Sequence, residues 1–564
     1  MKVKKTSSTE RKQTKIAKKI YSYNFLGLCS ATIFFVLSLL PSLLPRPWLF
    51  QGIISGFSVA VGYGLGVLSS FSVRWMLQTK LPKKQSVAAK SWQILRVVAP
   101  IMIVVGLLLG VGWQNEVRLL VSRQSMSYWA VMPIALTTVI VALGVVNFSR
   151  LMRKLSSRLS KKLRNYVPPR VSFVVSIVVV VMLFAWITTG VFANFMVSQA
   201  NKIYSVKNDS IPPGVTQPIS PLRSGSPSSF VSWETIGYQG RAFVGRGPSV
   251  QQIKDYTGTG DDVVEPIRLY VGLKSADSAS VRAQMAVAEL KRTGAFDRKV
   301  LVIGNTTGTG WLEPQTVDAL EYMYGGNSAI IAQQYSYLPS WISFLVDKEN
   351  ATNTGAALFD AVRSEWVKLP VDKRPKLVTY GLSLGSFSGN AAFAGVNDLR
   401  LSVDGALFVG TPSDTRLWQT ITAGRDDGTP QWRPTYKQGV AVRFASDSQT
   451  INASQASWQT PRVLYLQHAS DPVVWFDFKL LTTKPDWLRE KRGDDVSPRI
   501  RWYPFVTFAQ VAVDQFFGTS VPNGHGHNYP NVIVDAWAAV AAPQDWTPAK
   551  AQKLQAIIDT YTNE

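Results

Sequence analysis

Hydrophobic positions along the chain follow two regimes. Up to about residue 200 they form long unbroken runs, near 24–44, 48–76, 92–113, 128–148 and 171–197. A helix of some 20 apolar residues crosses about 30 Å of hydrocarbon, so each run predicts a membrane span. The first is too long, and lacks the small-residue cleavage site, for a secretion signal. Tyr21, Tyr23, Trp48, Trp75, Trp92, Trp113, Tyr128 and Trp129 stand at run ends, where amphipathic rings prefer the membrane–water interface.

From about residue 266 the apolar positions come in short bursts separated by mixed stretches. The bursts predict strands at 267–273, 299–304, 329–334, 377–380, 405–410 and 462–467, with helices near 280–291, 314–324, 354–367, 385–395 and 531–541. Such alternation predicts an α/β layered domain on a mainly parallel sheet. Residues 201–265 begin with a Pro/Ser/Gly-rich stretch that reads as a linker, or as a cover over the domain. Residues 411–460 have no strong period and hold Trp418, Trp432 and Trp458; they read as a lid, a substrate wall or a surface excursion. The expected organisation is therefore a five-span helical bundle over 1–200, a connector over 201–265 and an α/β domain over 266–564, separable at the connector.

Charge sharpens this division. Of 60 Lys+Arg and 36 Asp+Glu, residues 1–200 hold 25 basic and 2 acidic, and the remainder 35 and 34. The basic residues of the first part lie between apolar runs, which points to a membrane and away from nucleic acid. Residues 1–19, 80–90 and 149–170 are rich in Lys/Arg, whereas the other two loops hold only Arg46, Arg118 and Arg123. Basic loops stay cytoplasmic. The N-terminus is then inside, and everything after about residue 198 outside. Leu151, Leu155, Leu159 and Leu163 recur every four residues among Lys and Arg, which predicts a basic amphipathic helix on the inner leaflet. The spans carry almost no ionisable side chains, unlike those of pumps, so the bundle reads as an anchor. One cysteine, Cys29, permits no internal disulfide.

The chemistry concentrates at Gly381-Leu-Ser383-Leu-Gly385. A β-type run enters it and a small-residue helix leaves it, the setting of a nucleophilic serine on a tight strand-to-helix turn. An inert glycine turn is the competing reading. A serine nucleophile needs a base, and the base an orienting carboxylate. Asp471 follows the 462–467 strand, at the carboxyl end where catalytic side chains gather; Asp414 and Asp477 are rivals. The histidines are His468, His525 and His527. Gly524-His525-Gly526-His527 precedes a helix, and its glycines permit a tight loop reaching back to the serine. Spacing does not separate the two histidines; adjacency to the helix favours His527, with His525 lining the site and His468 structural. An oxyanion hole needs two backbone N–H donors. Leu384 supplies one, and the glycine-rich loop after 300–304, through Thr307 and Gly308, the other. That loop lacks Gly-Lys-Ser/Thr, so a nucleotide site is not expected. No cofactor or metal is expected.

These pieces, with Ile267-Arg-Leu-Tyr-Val-Gly-Leu-Lys-Ser-Ala276, Arg292-Thr-Gly-Ala-Phe-Asp297 and Thr307-Gly-Thr-Gly-Trp311, resemble a family of bacterial multi-span membrane proteins with a C-terminal α/β-hydrolase catalytic domain. The resemblance covers nearly the whole chain. It implies a serine hydrolase in which Ser383 matches the nucleophile, and Asp471 and the Gly-His-Gly-His segment match acid and base. The expected activity is that of a membrane-anchored esterase, lipase or acyltransferase acting on a lipid or cell-envelope ester at the outer face of the cytoplasmic membrane. A non-catalytic scaffold that keeps the fold is the alternative.

Overall fold

The computed structural model describes residues 23–76, 89–185, 193–258, 262–454 and 456–561. The basic stretch 1–19, most of the 80–90 loop and part of the 171–197 run fall outside them. The chain divides into two compact units. The first comprises residues 1–188 together with 478–484 and 497–514; the second holds the rest.

In the first unit the described helices are α1 (Phe25–Ser38), α2 (Trp48–Met76), α3 (Ala89–Leu120), α4 (Val131–Leu163) and α5 (Pro169–Ala185). Among the described residues, three stretches are long and apolar enough to cross a membrane: Trp48–Val73, Ala89–Leu120 and Tyr128–Leu163. This corrects the expectation of five. The run over 24–44 ends as helix at Ser38, because Pro41, Pro45 and Pro47 follow and deny the helix its backbone donors. Within the run over 171–197 the described residues form helix Pro169–Ala185, of 17 residues, and the start of helix Ala193–Asp209. α2 packs on α1 and α4. A Cβ on Gly66 would lie 2.3 Å from the Leu26 carbonyl oxygen, and one on Gly52 2.6 Å from Thr137 Cβ; small residues here let helix backbones approach closely. The basic stretch is the continuous end of α4. Its Leu151 and Leu155 are exposed, and Ser156 and Ser160 are buried instead, so the leucines do not serve protein packing.

The segment 497–514 is built into this helical unit. Helix Val506–Asp514 lies against the turn between α1 and α2. Gln510 Nε2 donates to the carbonyls of Leu40 (3.0 Å) and Ser38 (3.2 Å), and Asp514 Oδ2 accepts from the backbone of Leu43 (3.1 Å) and Leu44 (3.3 Å) and from the Ser42 hydroxyl. Arg499 and Ser497 hold Glu116 at the far end of α3. The part after residue 200 is therefore not one self-contained domain.

The second unit carries a seven-stranded sheet, all parallel, of β1 (Ile267–Val271), β2 (Val300–Asn305), β3 (Ser328–Gln333), β4 (Lys376–Leu382), β5 (Gly405–Val409), β6 (Val442–Ala445) and β7 (Arg462–Leu466). The strand order is β1-β3-β2-β4-β5-β7-β6. The strands read as near-continuous apolar runs because helices cover both faces. β6 lies inside the 411–460 stretch. The three tryptophans there are buried and hydrogen-bonded to the structure around them, Trp418 to Gln467, Trp432 to the Lys491 carbonyl and Trp458 to the Ala441 carbonyl. They brace the edge of the sheet. Residues 201–258 also pack. Val231, Ile236 and Val244 are fully buried, and Arg241 caps the carbonyls of Asp209, Ser210, Trp233 and Glu234.

Candidate active site

β4 occupies the centre of the sheet and delivers Ser383 at its carboxyl end. Ser383 adopts φ 58°, ψ −124°, a strained conformation that lifts the side chain off the strand at the start of helix Leu384–Asn390. Its N–H still donates to the Val409 carbonyl (2.9 Å), so the elbow stays tied to β5. The glycines follow from crowding: a Cβ on Gly381 would sit 2.4 Å from Gly385, and one on Gly385 2.2 Å from the Asn305 carbonyl oxygen. Ser386 Oγ bonds Thr411 Oγ1 (2.6 Å), and Tyr465 reaches Asn390 (2.6 Å); both fix the short helix behind the serine.

Asp471 follows β7 and caps the turn Pro472–Trp475, where Oδ1 accepts from the Val473 N–H (2.8 Å). Its Oδ2 meets His527 Nδ1 at 2.7 Å. A carboxylate only accepts, so Nδ1 carries the proton and Nε2 is left as the bare acceptor. That Nε2 is buried without a partner. The imidazole fills the space over Gly410 (φ +54°), where a Cβ would lie 2.3 Å from Cε1. Gly410 directly follows β5, whose Val409 pairs with Leu382. The Asp471–His527 pair thus lies over the strand next to the one that carries Ser383.

The two candidate histidines part company here. His527 Nδ1 faces Asp471, whereas His525 Nδ1 faces Asp495 at 3.9 Å. Burial alone would push the Asp495 carboxyl up; the nearby His525 and His468 and the hydrogen bond from Ser470 outweigh it and leave it below the usual range. Ser470 links Asp495 to the Gly526 N–H (2.8 Å). His468 donates from Nδ1 to the Gly526 carbonyl (2.8 Å). Its burial pushes the imidazole down toward the neutral form. Together these groups clamp the Gly-His-Gly-His loop from below. Asp414 pairs instead with Lys348.

Sequence reasoning passed over three residues. Tyr529 donates from its hydroxyl to Asp471 Oδ2 (2.6 Å), accepts the His468 N–H (3.2 Å) and stacks on the His468 ring at 4.2 Å. It stands two positions after His527, within the same loop motif, and an aromatic there carries no sign of its partner. Glu313, buried at the start of helix Pro314–Met323, is pushed up by burial, while the Thr316 hydrogen bond and the nearby His527 pull it back. The third is Thr306. The Thr307 N–H is taken by the Trp311 carbonyl (3.0 Å), and Gly308 packs against Ser340 and Ser343. The backbone lying against the elbow is that of Asn305 and Thr306.

Residues 267–554 match the model of an alpha/beta-hydrolase family, and residues 39–248 match the N-terminal region of such a family. Neither the curated proteins nor the solved structures contain a match. With more than half of the chain matched and a parallel sheet that presents a strained serine at its centre, the chain belongs to this alpha/beta-hydrolase family.

Proposed function

We propose that the protein is a serine hydrolase or acyltransferase acting on an ester. The observation that carries this reading is the Asp471–His527 pair at 2.7 Å over the end of β5, the strand paired with the one that ends in a serine held at positive φ. Ser383 Oγ attacks the ester carbonyl and its proton passes to His527 Nε2. Asp471 keeps the imidazole in the right tautomer and stabilises its charged form. The oxyanion is met by the Leu384 N–H and, one residue earlier in the loop than the sequence suggested, by the Thr306 N–H. The imidazolium then protonates the leaving alcohol, and water or a second alcohol resolves the acyl-enzyme.

A lipid or envelope ester is the favoured substrate, because the same chain carries apolar helices of spanning length. The lysine- and arginine-rich loops support an orientation with the N-terminus in the cytoplasm and the α/β unit outside. A fluorophosphonate probe tests the chemistry: wild type should be labelled and Ser383→Ala should not. Equal labelling of both would remove Ser383 as the nucleophile. A cysteine placed within 201–230 of a Cys29→Ala protein tests the topology. It should react with an impermeant maleimide in intact, wall-permeabilised cells; reaction only after membrane rupture would reverse the orientation.

A further inference from the structure

The chain between Asp471 and His527 leaves the α/β unit twice, at 478–484 and at 497–514. The acid and the base are thus the last and the next landmarks on either side of a double excursion into the helical unit. The two excursions also hold each other there. The Phe478 and Phe508 rings meet at 5.6 Å, and Trp502 Nε1 donates to the Leu480 carbonyl (2.9 Å).

The return path to His527 is short and stiff. Gln510 and Asp514 seat the helix Val506–Asp514 on the α1–α2 turn through the bonds described above. The next residues, Gln515–Phe517, continue as a 3₁₀ turn with no break, and Gly518 closes it with its N–H on the Gln515 carbonyl (3.3 Å). A helical run transmits a displacement at one end to the other more faithfully than a loop does.

Gly518 is where that run meets the catalytic pair. Its carbonyl accepts the His527 backbone N–H (2.8 Å). A Cβ on it would lie 3.2 Å from His527 Cβ and 3.8 Å from Cγ of Pro472, the residue after Asp471. Gly518 therefore fills the slot between the acid turn and the base. Three residues on, the Val521 carbonyl accepts from Asn528 Nδ2 (3.0 Å), a second tie beside the histidine. The clamp of His468 and Ser470 fixes Gly526 from below; residues 518–521 back His527 and Asn528 from a different segment.

We propose that Gln510 and Gly518 are positioning residues for the base. The helix seated on the α1–α2 turn sets the place of His527 through the Gly518 carbonyl, so that catalysis requires the helical unit to be folded around its seat. The catalytic half of this statement rests on the serine-hydrolase reading above; the placing of the loop does not.

The test uses the full chain in detergent. Gln510→Ala removes the side chain that holds Leu40 and Ser38. Ser42→Ala removes only the hydroxyl given to Asp514, at the far turn. Hydrogen exchange over 519–530 should quicken in both variants, with β4 and β5 unmoved. A misplacement of about 1 Å can cost as much as 10²-fold in rate. For a soluble nitrophenyl ester, kcat should fall about tenfold in Gln510→Ala and less in Ser42→Ala, with KM unchanged. The acid limb of kcat/KM should move to lower pH, because a slack Asp471 contact supports the imidazolium less. A merely looser helical unit would not move that limb. Two glycines inserted after Phe517 should reproduce the losses, and Gln510→Ala should then add little, since a slack link no longer carries the seat's position.

If Gln510→Ala does not melt cooperatively, Ser42→Ala and the glycine insertion decide. Wild-type exchange over 519–530, kcat and pH limb in the variants overturn the proposal, as does full additivity of Gln510→Ala with the insertion. Quickened exchange over 519–530 in a protein whose Ser383→Ala form still hydrolyses the ester would overturn the hydrolase reading and leave the placing of the loop standing.

Discussion

The two units use apolar residues for opposite ends. In the α/β unit the strands are buried throughout, and Leu269, Ile303, Val378 and Leu407 have no exposed surface. In the helical unit Leu119, Trp129, Met132 and Leu136 are each more than 60 % exposed. Exposure on that scale along helices of 29 to 33 residues suits a lipid surround. Polar groups invert the pattern. The α/β unit buries the Asp471–His527 pair and the Arg268–Glu321–Asp318 cluster. Among the described residues the helical unit buries the Arg46–Asp514 ion pair, where a segment from late in the chain joins it. The units differ in how they expose apolar residues, yet neither is a contiguous stretch of sequence.

That interleaving yields the largest expected effect. A fragment of residues 201–564 carries 478–484 and 497–514 without the helices they pack among. Gln510 and Asp514 would lose every partner they have at the α1–α2 turn. The fragment should express as aggregate, or show no cooperative thermal transition, whereas the full chain in detergent melts cooperatively. A well-folded, active fragment would show that the excursion is dispensable and that the units are separable after all.

Within the α/β unit the comparison sharpens to two histidines. His527→Ala should lower kcat/KM for a nitrophenyl ester by roughly 10³-fold or more, matching Ser383→Ala, because nucleophile and base act together. His525→Ala removes a group 3.9 Å from Asp495 and should cost no more than about tenfold, through slack in the loop. Comparable losses in both variants would mean that the loop, and not one imidazole, is what catalysis requires. Tyr529→Phe leaves the His527 contact in place and removes the hydroxyl bond to Asp471 and the acceptor of the His468 N–H; a loss of about tenfold in kcat with little change in KM is expected.

What was legible follows the range of the forces involved. Six strands, the elbow and the Asp471 loop are written locally, in apolar bursts closed by glycine or aspartate. β6 was hidden because Val442–Ala445 has only four residues and one is Arg443, whose guanidinium lies over Trp458. Thr307 and Gly308 drew attention as part of a glycine-rich loop, but the turn closing on Trp311 consumes one N–H and turns the other residue toward Ser343. The packing of 201–258 was masked by its prolines and serines. The assignment of 497–514 to the helical unit could not be read at all: Ser42 and Asp514 lie at opposite ends of the chain, and neither local sequence carries a mark of the other.

The smallest expected effect concerns that same junction, and it separates the units by pH. The Arg46 guanidinium stands 3.7 Å from Asp514, too far for a good hydrogen bond, and its Nε is unpartnered along with Asp514 Oδ1. Burial of both charges therefore outweighs their attraction. The Asp514 carboxyl is pushed up to about 6 from its ordinary 3.8, against the pull of Arg46, Ser42 and two backbone N–H groups. A carboxyl whose folded value is raised contributes its stability below the unfolded value, and loses it as pH climbs through the folded one. The helical unit should thus be firmest near pH 4 and loosen toward pH 7, by a few degrees in Tm on this group's account. Asp514→Asn keeps an acceptor for the Leu43 and Leu44 N–H groups but cannot titrate, so its stability should be flat over that window, apart from changes shared with wild type. Amide hydrogen exchange over residues 38–46, followed from pH 4 to pH 7 after correction for intrinsic rates, reads the junction directly. Parallel curves for wild type and Asp514→Asn would mean that the α1–α2 turn is held by neutral hydrogen bonds, those of Gln510, Gln114 and Gln51, and not by titration of Asp514.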